Sequence, residues 1–155
     1  MRDIVKRYDI DALHMDDYFY PYRIGRTEFP DLSAYRRYNK NNLSRDDWRR
    51  ENVNVLVKEL NRIIKQTKPH VKFGISPFGV WRNSNVDSLR GSNTTAGQTN
   101  YDDLFADVIL WQKNGWIDYC LPQLYWETGH KAVDYNTLIR WWNDNAFGRH
   151  MYIGH

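Results

Sequence analysis

Apolar and polar positions along this chain alternate between two periods. From Ala12 to about Phe19 the period is two. Ala12, His14 and Asp16 share one face of a strand, and Leu13, Met15 and Asp17 share the other. Leu13 and Met15 make the second face apolar, so it carries a helix layer and His14 and Asp16 point away from it. Upstream, Met1, Ile4, Val5 and Tyr8 have the spacing of a short amphipathic helix. Ser44-Arg-Asp-Asp47 follows a capping-box pattern and opens a helix running to about Lys68. Val53, Leu56, Val57, Leu60 and Ile64 form its apolar face, and Pro69 ends it. Val71 to Pro77 reads as a second strand, with Phe73 and Ile75 toward the helices and Gly74 and Ser76 inward. A third helix is expected over about Tyr101 to Asn114, with Tyr101, Leu104, Phe105, Val108 and Trp111 on one face and Gly115 as its stop. Ile117 to Trp126 is a third strand. Asp134 caps a last helix whose face is Tyr135, Leu138, Ile139 and Trp142, and Met151 to His155 begins a fourth strand. Two long connections remain, Tyr20 to Leu43 and Phe78 to Asn100. Connections of that length inside a domain are functional or disordered; the aromatics of the first argue against disorder.

Strands alternating with amphipathic helices predict an α/β fold with parallel strands. An open flavodoxin-like sheet and a (β/α)8 TIM barrel both fit that order. Buried open sheets favour continuous Val/Ile/Leu strands. Here His14, Asp16, Ser76, Gln123 and Tyr125 lie on one side, which suits a barrel interior near its catalytic mouth. A whole barrel needs about 250 residues and eight strands. The 155 residues supply four strands, so residues 1–155 read as a single partial barrel domain.

Composition narrows the partners. Hydrophobic residues make 41% and charged residues 26% of the chain, a globular balance, and the net charge is only +3. No Lys/Arg block of the kind that grips a phosphate backbone is present, so nucleic acid is not an expected partner. No run of about 18 apolar residues exists to span a membrane, and the N-terminal residues do not read as a signal peptide. Cys120 stands alone, and His14, His70, His130, His150 and His155 do not pair at ligand spacing, so neither a metal nor another cofactor is expected. The aromatic content, with seven Trp, eleven Tyr and six Phe, changes the picture more. Most of these rings belong in a core, but a few in a cleft would stack on sugar rings.

The candidate chemistry gathers at the strand ends. A carboxylate at the C-terminal end of a parallel strand is where α/β enzymes place their reacting groups. Asp16 and Asp17 fit, although an isolated Asp-Asp is more often only a polar strand end, a helix cap or a loop anchor. Alternation turns Asp16 inward as an acid/base and sends Asp17 toward the helix side or the rim. His14, two residues earlier on the same face, is placed to tune Asp16 or to serve as an interior structural histidine. Tyr18, Tyr20 and Tyr22 bind sugar or fill the loop. Trp81, Arg82 and Asn83 form a stacking and hydrogen-bonding platform past the second strand, or anchor its loop. Gln123 and Tyr125 point inward, Trp126 lies outward or in the mouth, and Glu127 is the second carboxylate or a surface residue.

Several stretches carry a resemblance: His14-Met-Asp-Asp-Tyr-Phe-Tyr-Pro21, Glu28-Phe-Pro-Asp31, Ser44 to Asn54, Lys72 to Asn83, Tyr101-Asp-Asp-Leu104, Gly115 to Tyr119, Pro122-Gln-Leu-Tyr-Trp126 and Tyr152-Ile-Gly154. Together, and in this order, they resemble the glycosyl-hydrolase-10-like family of bacterial envelope proteins. The resemblance implies a TIM-barrel O-glycosidase of the cell envelope or secreted space. It implies β-linked amino-sugar polymers such as peptidoglycan glycan strands as the substrate class. It also implies that the chain supplies barrel strands four to seven, with Asp16 and Asp17 ending strand four and Gln123 to Glu127 ending strand six, and that the rest of the barrel is missing. A second reading is a carbohydrate-binding barrel fragment or inactive paralogue that holds glycan without cutting it.

Overall fold

Four parallel strands lie side by side in the order in which the chain makes them. The computed structural model describes residues 1–25 and 27–154. Helix α1 (Arg2–Arg7) precedes strand β1 (Ala12–Met15), and α2 (Leu32–Tyr38) and α3 (Arg45–Thr67) follow it. Then come β2 (Lys72–Ile75), α4 (Val108–Lys113), β3 (Tyr119–Cys120), α5 (Tyr135–Asp144) and β4 (His150–Met151). The sheet order is β1-β2-β3-β4, all pairs parallel. This confirms the α/β class and the parallel pairing, and it is compatible with part of a TIM barrel.

The helix layer covers one face of the sheet. Phe73, Ile75 and Cys120 are fully buried there against Val57 and Ile64 of α3, Trp111 of α4, and Leu138 and Trp142 of α5. Local signals placed several helix ends correctly. The Ser44 side chain accepts a hydrogen bond from the Asp47 amide and starts α3. The Asp134 side chain does the same for the Thr137 amide at α5, each satisfying an orphan amide of a first turn. Gly115 has a φ of +66° just past α4, a conformation suited to glycine.

Other expectations fail for identifiable reasons. The helix expected from Tyr101 begins only at Val108, because Asp107 caps it, accepting from the Leu110 amide, and Phe105 takes a left-handed φ of +53°. Tyr101, Leu104 and Phe105 are a loop packed inward at helix-like spacing. Helix α2 falls inside the expected long connection; none of its residues is buried, so it has no buried stripe to mark it. On α3, Leu56 is exposed, while the polar Arg49 and Asn54 are buried. Asn54 accepts a 2.7 Å bond from Trp111 Nε1, which makes a polar side chain part of the core. The strands are shorter than expected, and Gln123 joins its neighbours only through isolated bridges to Phe78 and Gly154. His155, read as part of the fourth strand, lies outside the described residues.

Candidate active site

Strand β1 stops at Met15, and the carboxylates begin one residue later. The Asp17 amide turns back to donate to Asp16 Oδ1 at 2.9 Å, and the Phe19 amide donates to the Asp17 carbonyl at 2.8 Å. Such local bonds replace ladder bonds and end a strand. The strand therefore ends before the two carboxylates, and Asp17 lies against Tyr22 of the rim loop, in line with the helix-side or rim placement expected for it. Asp17 is only 4% exposed, whereas Asp16 faces solvent at the strand ends.

The two carboxyls have different partners. Gln123 Nε2 donates to Asp16 Oδ1 at 2.7 Å and to the Ser76 carbonyl at 3.1 Å, tying the ends of β1 and β2 to the segment after β3. Tyr22 donates its hydroxyl to Asp17 Oδ2 at 2.7 Å. Burial pushes the Asp17 carboxyl above the usual carboxylate range, and the neighbouring Asp16 charge pushes the same way; the Tyr22 bond opposes them. Tyr22 is itself pushed up to about 12, first by burial and then by this bond. His14 stands on the same side as Asp16. Burial lowers its pKa, and the Asp16 charge works against that.

Aromatic rings line the rim beside these groups. Tyr22 meets Phe78 edge-on at 6.4 Å, and Phe78 meets Trp126 edge-on at 5.5 Å. The row runs across the ends of β1, β2 and β3. Tyr125 is exposed and Trp126 half-buried, and with Leu124, Thr128 and Tyr135 they line an open groove. Tyr18 is 82% exposed. Tyr20 is held between Phe29 and Phe105, with the Arg49 guanidinium over its ring, in the wall of a recess of about 150 Å³. Glu127 is exposed in the turn after Trp126.

The platform expected past β2 is not a surface. Trp81 is 1% exposed, stacked on Trp141 at 5.8 Å and edge-on to Tyr101 at 5.3 Å. Arg82 grips Asp102 through Nε and Nη2. Asn83 Nδ2 donates to the Ala96 carbonyl, and its Oδ1 accepts from Thr94 and from the Ala96 amide. All three residues organise their own loop, so their sugar-binding assignment is corrected: burial leaves Trp81 no free face, and the polar groups of Arg82 and Asn83 are occupied.

Sequence reasoning underrated three features. Phe78 went unnoticed as a member of the aromatic rim. The Tyr22–Asp17 bond joins two residues five positions apart in an irregular loop, where no periodicity reveals it. The third is the Asp31–Arg49 pair, both buried, with Arg49 Nε and Nη2 donating to the two Asp31 oxygens at 2.8 and 2.9 Å. This pair pins the end of the rim loop to α3. The only available signal was charge: Asp31 in Glu28-Phe-Pro-Asp31, and an arginine one turn into α3.

Across residues 1–155 the chain matches the family described as glycosyl hydrolase-like 10. It belongs to that family. It is 56% identical over 157 aligned positions to the protein named glycosyl hydrolase YngK of Bacillus subtilis (strain 168), covering 99% of this chain and 31% of that one. It is 42% identical over 154 positions to the proteins named glycosyl hydrolase DigH of Escherichia coli O6:H1 and of Escherichia coli K12, covering 98% of this chain and 34% of each. The chain spans about a third of the length of the curated relatives it matches. As a glycosyl hydrolase-like 10 domain, it carries its adjacent aspartates and its aromatic rim on the same strand ends.

Proposed function

We propose that the protein is a glycosidase acting on β-linked amino-sugar polymers of the bacterial cell envelope, peptidoglycan glycan strands or close relatives. The four strands then correspond to strands four to seven of a TIM barrel. The observation that carries this reading is the exposed Asp16 carboxyl backed by the buried Asp17 at the end of β1, beside the Tyr22–Phe78–Trp126 rim. Family membership and the names of the relatives support glycan as the substrate class.

Glycoside cleavage needs a carboxyl that delivers a proton to the leaving oxygen, and a second group on the other side of the sugar. Asp16 is the acid/base because it is the carboxyl of the pair that a sugar can reach. The Gln123 amide fixes one of its oxygens and leaves the other for substrate. Asp17 stands behind Asp16, buried and bonded to Tyr22. Glu127, or the substrate's own acetamido group, supplies the second role. The rim stacks on sugar faces, and Tyr18 extends it.

Mass spectrometry of peptide-free peptidoglycan glycans after incubation with the protein tests the reading; shorter glycans are expected. Asp16→Asn should lower turnover by roughly 10²- to 10⁴-fold, the usual contribution of a general acid, with glycan binding largely intact. Asp17→Asn should cost less turnover. If Asp17→Asn is the inactive variant and Asp16→Asn the active one, the two roles are exchanged.

A further inference from the structure

Beneath the carboxylates, strand register sets one row of residues across the whole sheet. His14 pairs with Gly74, Gly74 with Tyr119, and Tyr119 with His150. On a sheet, such a row brings side chains of neighbouring strands to one level on one face. Tyr119 and His14 are two strands apart, normally too far for a direct bond between side chains standing upright. They are nevertheless bonded: the Tyr119 hydroxyl lies 3.1 Å from His14 Nδ1, with the ring planes 15° from parallel. The reason is Gly74. A Cβ built on Gly74 would lie 1.9 Å from Tyr119 Cζ, so the phenol ring occupies the place of the missing β2 side chain. Tyr152 supports the ring from the other side, edge-on at 6.0 Å, and stacks on His150.

We propose that Tyr119, lying across Gly74, is a positioning residue for the Asp16 carboxyl, acting through His14. The Tyr119 hydroxyl donates to Nδ1 of a neutral imidazole and holds that ring beside Asp16 as the tautomer with the proton on Nε2. Burial favours the uncharged form of both partners, lowering His14 and raising Tyr119. The groups that face His14 can be named strand by strand. Just past β1 it is Asp16, and on β2 it is Lys72, two residues before Gly74 on the same face by alternation, with Gly74 contributing no side chain. Tyr119 is the group on β3, with His150 on β4 and Tyr152 just past β4 beyond it. The Asp16 charge draws His14 toward its cationic form, and the Tyr119 bond opposes this. With His14 neutral, the ring on the Asp16 side carries no charge and does not compete with substrate as an ion-pair partner for that carboxyl.

The role of Asp16 in this inference rests on the glycosidase reading; the Tyr119–His14 link does not. The test is Tyr119→Phe, which keeps the ring over Gly74 and removes only the hydroxyl. The His14 ring is followed by NMR of histidine-labelled protein against pH, with His14→Gln for assignment, and glycan cleavage is measured over the same range. The His14 titration should move to higher pH in Tyr119→Phe, because the neutral ring loses its donor, and the pH profile of kcat should shift with it while KM changes little. An unmoved His14 titration overturns the proposal. A moved titration with an unmoved pH profile overturns the link to Asp16. If wild-type protein cleaves no glycan at any pH, the glycosidase reading fails, and the positioning role with it, while the titration still decides whether Tyr119 controls His14.

Discussion

Two long connections leave the same end of the sheet, and they treat their polar groups in opposite ways. The connection after β2 turns inward on itself. Arg82 is bound to Asp102, Asn83 to Thr94 and Ala96, and Asn100 Nδ2 donates to the carbonyls of Phe78 and Val80. Trp81 sits beneath as core. The connection after β1 is fastened chiefly at its far end, where Asp31 meets Arg49 and Arg45. Its near end presents Asp16, Tyr18 and Tyr22 to the open side, with Asp17 buried behind. A loop rich in Asn, Ser and Thr is therefore no better sign of a site than one rich in Tyr and Asp. What matters is whether the polar groups are already bonded within the fold.

The comparison breaks most sharply at the fastening of the β1 connection. Asp31→Ala leaves the 2%-exposed Arg49 without its main partner. Removing one side of a buried pair costs about 3–5 kcal/mol. Glu28, Asp46 and the Phe29 carbonyl also lie against Arg49, so the lower part of that range is expected. Urea denaturation measures it. The same pair sets an acid limit. The Arg49 bond holds the Asp31 carboxyl below its usual 3.8. A depressed folded value gives stability that is present above 3.8 and is lost as pH falls through the folded value. The wild type should weaken on that side, and Asp31→Ala should lack this component of the acid slope.

Two tryptophans sharpen the comparison next, Trp81 in the β2 connection and Trp126 after β3, on the rim that the β1 connection shares. Trp81→Ala opens the core under the β2 connection and should cost about 3–5 kcal/mol, the range for large aromatic truncations. Its binding of glycan per folded molecule should stay unchanged. Trp126→Ala removes part of the rim and should weaken glycan binding by about 1 kcal/mol, the scale of one aromatic contact, with little change in the melting temperature. Calorimetry of both variants with a soluble chitooligosaccharide checks this. Weaker binding in folded Trp81→Ala and unchanged binding in Trp126→Ala would place the stacking surface on the β2 connection instead of the rim.

Parts of this arrangement were readable in the sequence because their causes are local. Ser44 and Asp134 cap helices through bonds spanning three residues, and Gly115 stops α4 through its own backbone. The strand–helix order and the place of the aspartates at a strand end followed from periodicity alone. What failed depends on partners far along the chain. Trp81 and Trp126 look alike as letters, yet only packing by Trp141 and Tyr101 makes the first one core. Asn54 is buried because Trp111, 57 residues away, donates to it. Gly74 reads as an inward strand position, but that a tyrosine crosses it needs the register of β3. The roles of Asp16 and Asp17 turned on where β1 stops, and a bond within one dipeptide, from the Asp17 amide to Asp16, is at that stop.

The smallest expected effect is also the most informative about the aspartate pair. Burial and the Asp16 charge raise the Asp17 carboxyl above 3.8. A raised folded value gives stability that is complete below 3.8 and is lost as pH rises through the folded value, the reverse of Asp31. At neutral pH, then, the charge on Asp17 works against the fold. Asp17→Asn removes that charge and keeps an amide oxygen able to accept from Tyr22, so the geometry of the 2.7 Å contact can persist. The variant should match or slightly exceed the wild type in melting temperature at neutral pH, and the difference should close as the pH is lowered and Asp17 takes up its proton. Paired melts between pH 4 and pH 8, a window chosen to span about the ordinary carboxylate and histidine ranges, measure this. A variant that is clearly less stable at neutral pH would mean that the Tyr22 bond to a charged Asp17 outweighs its burial.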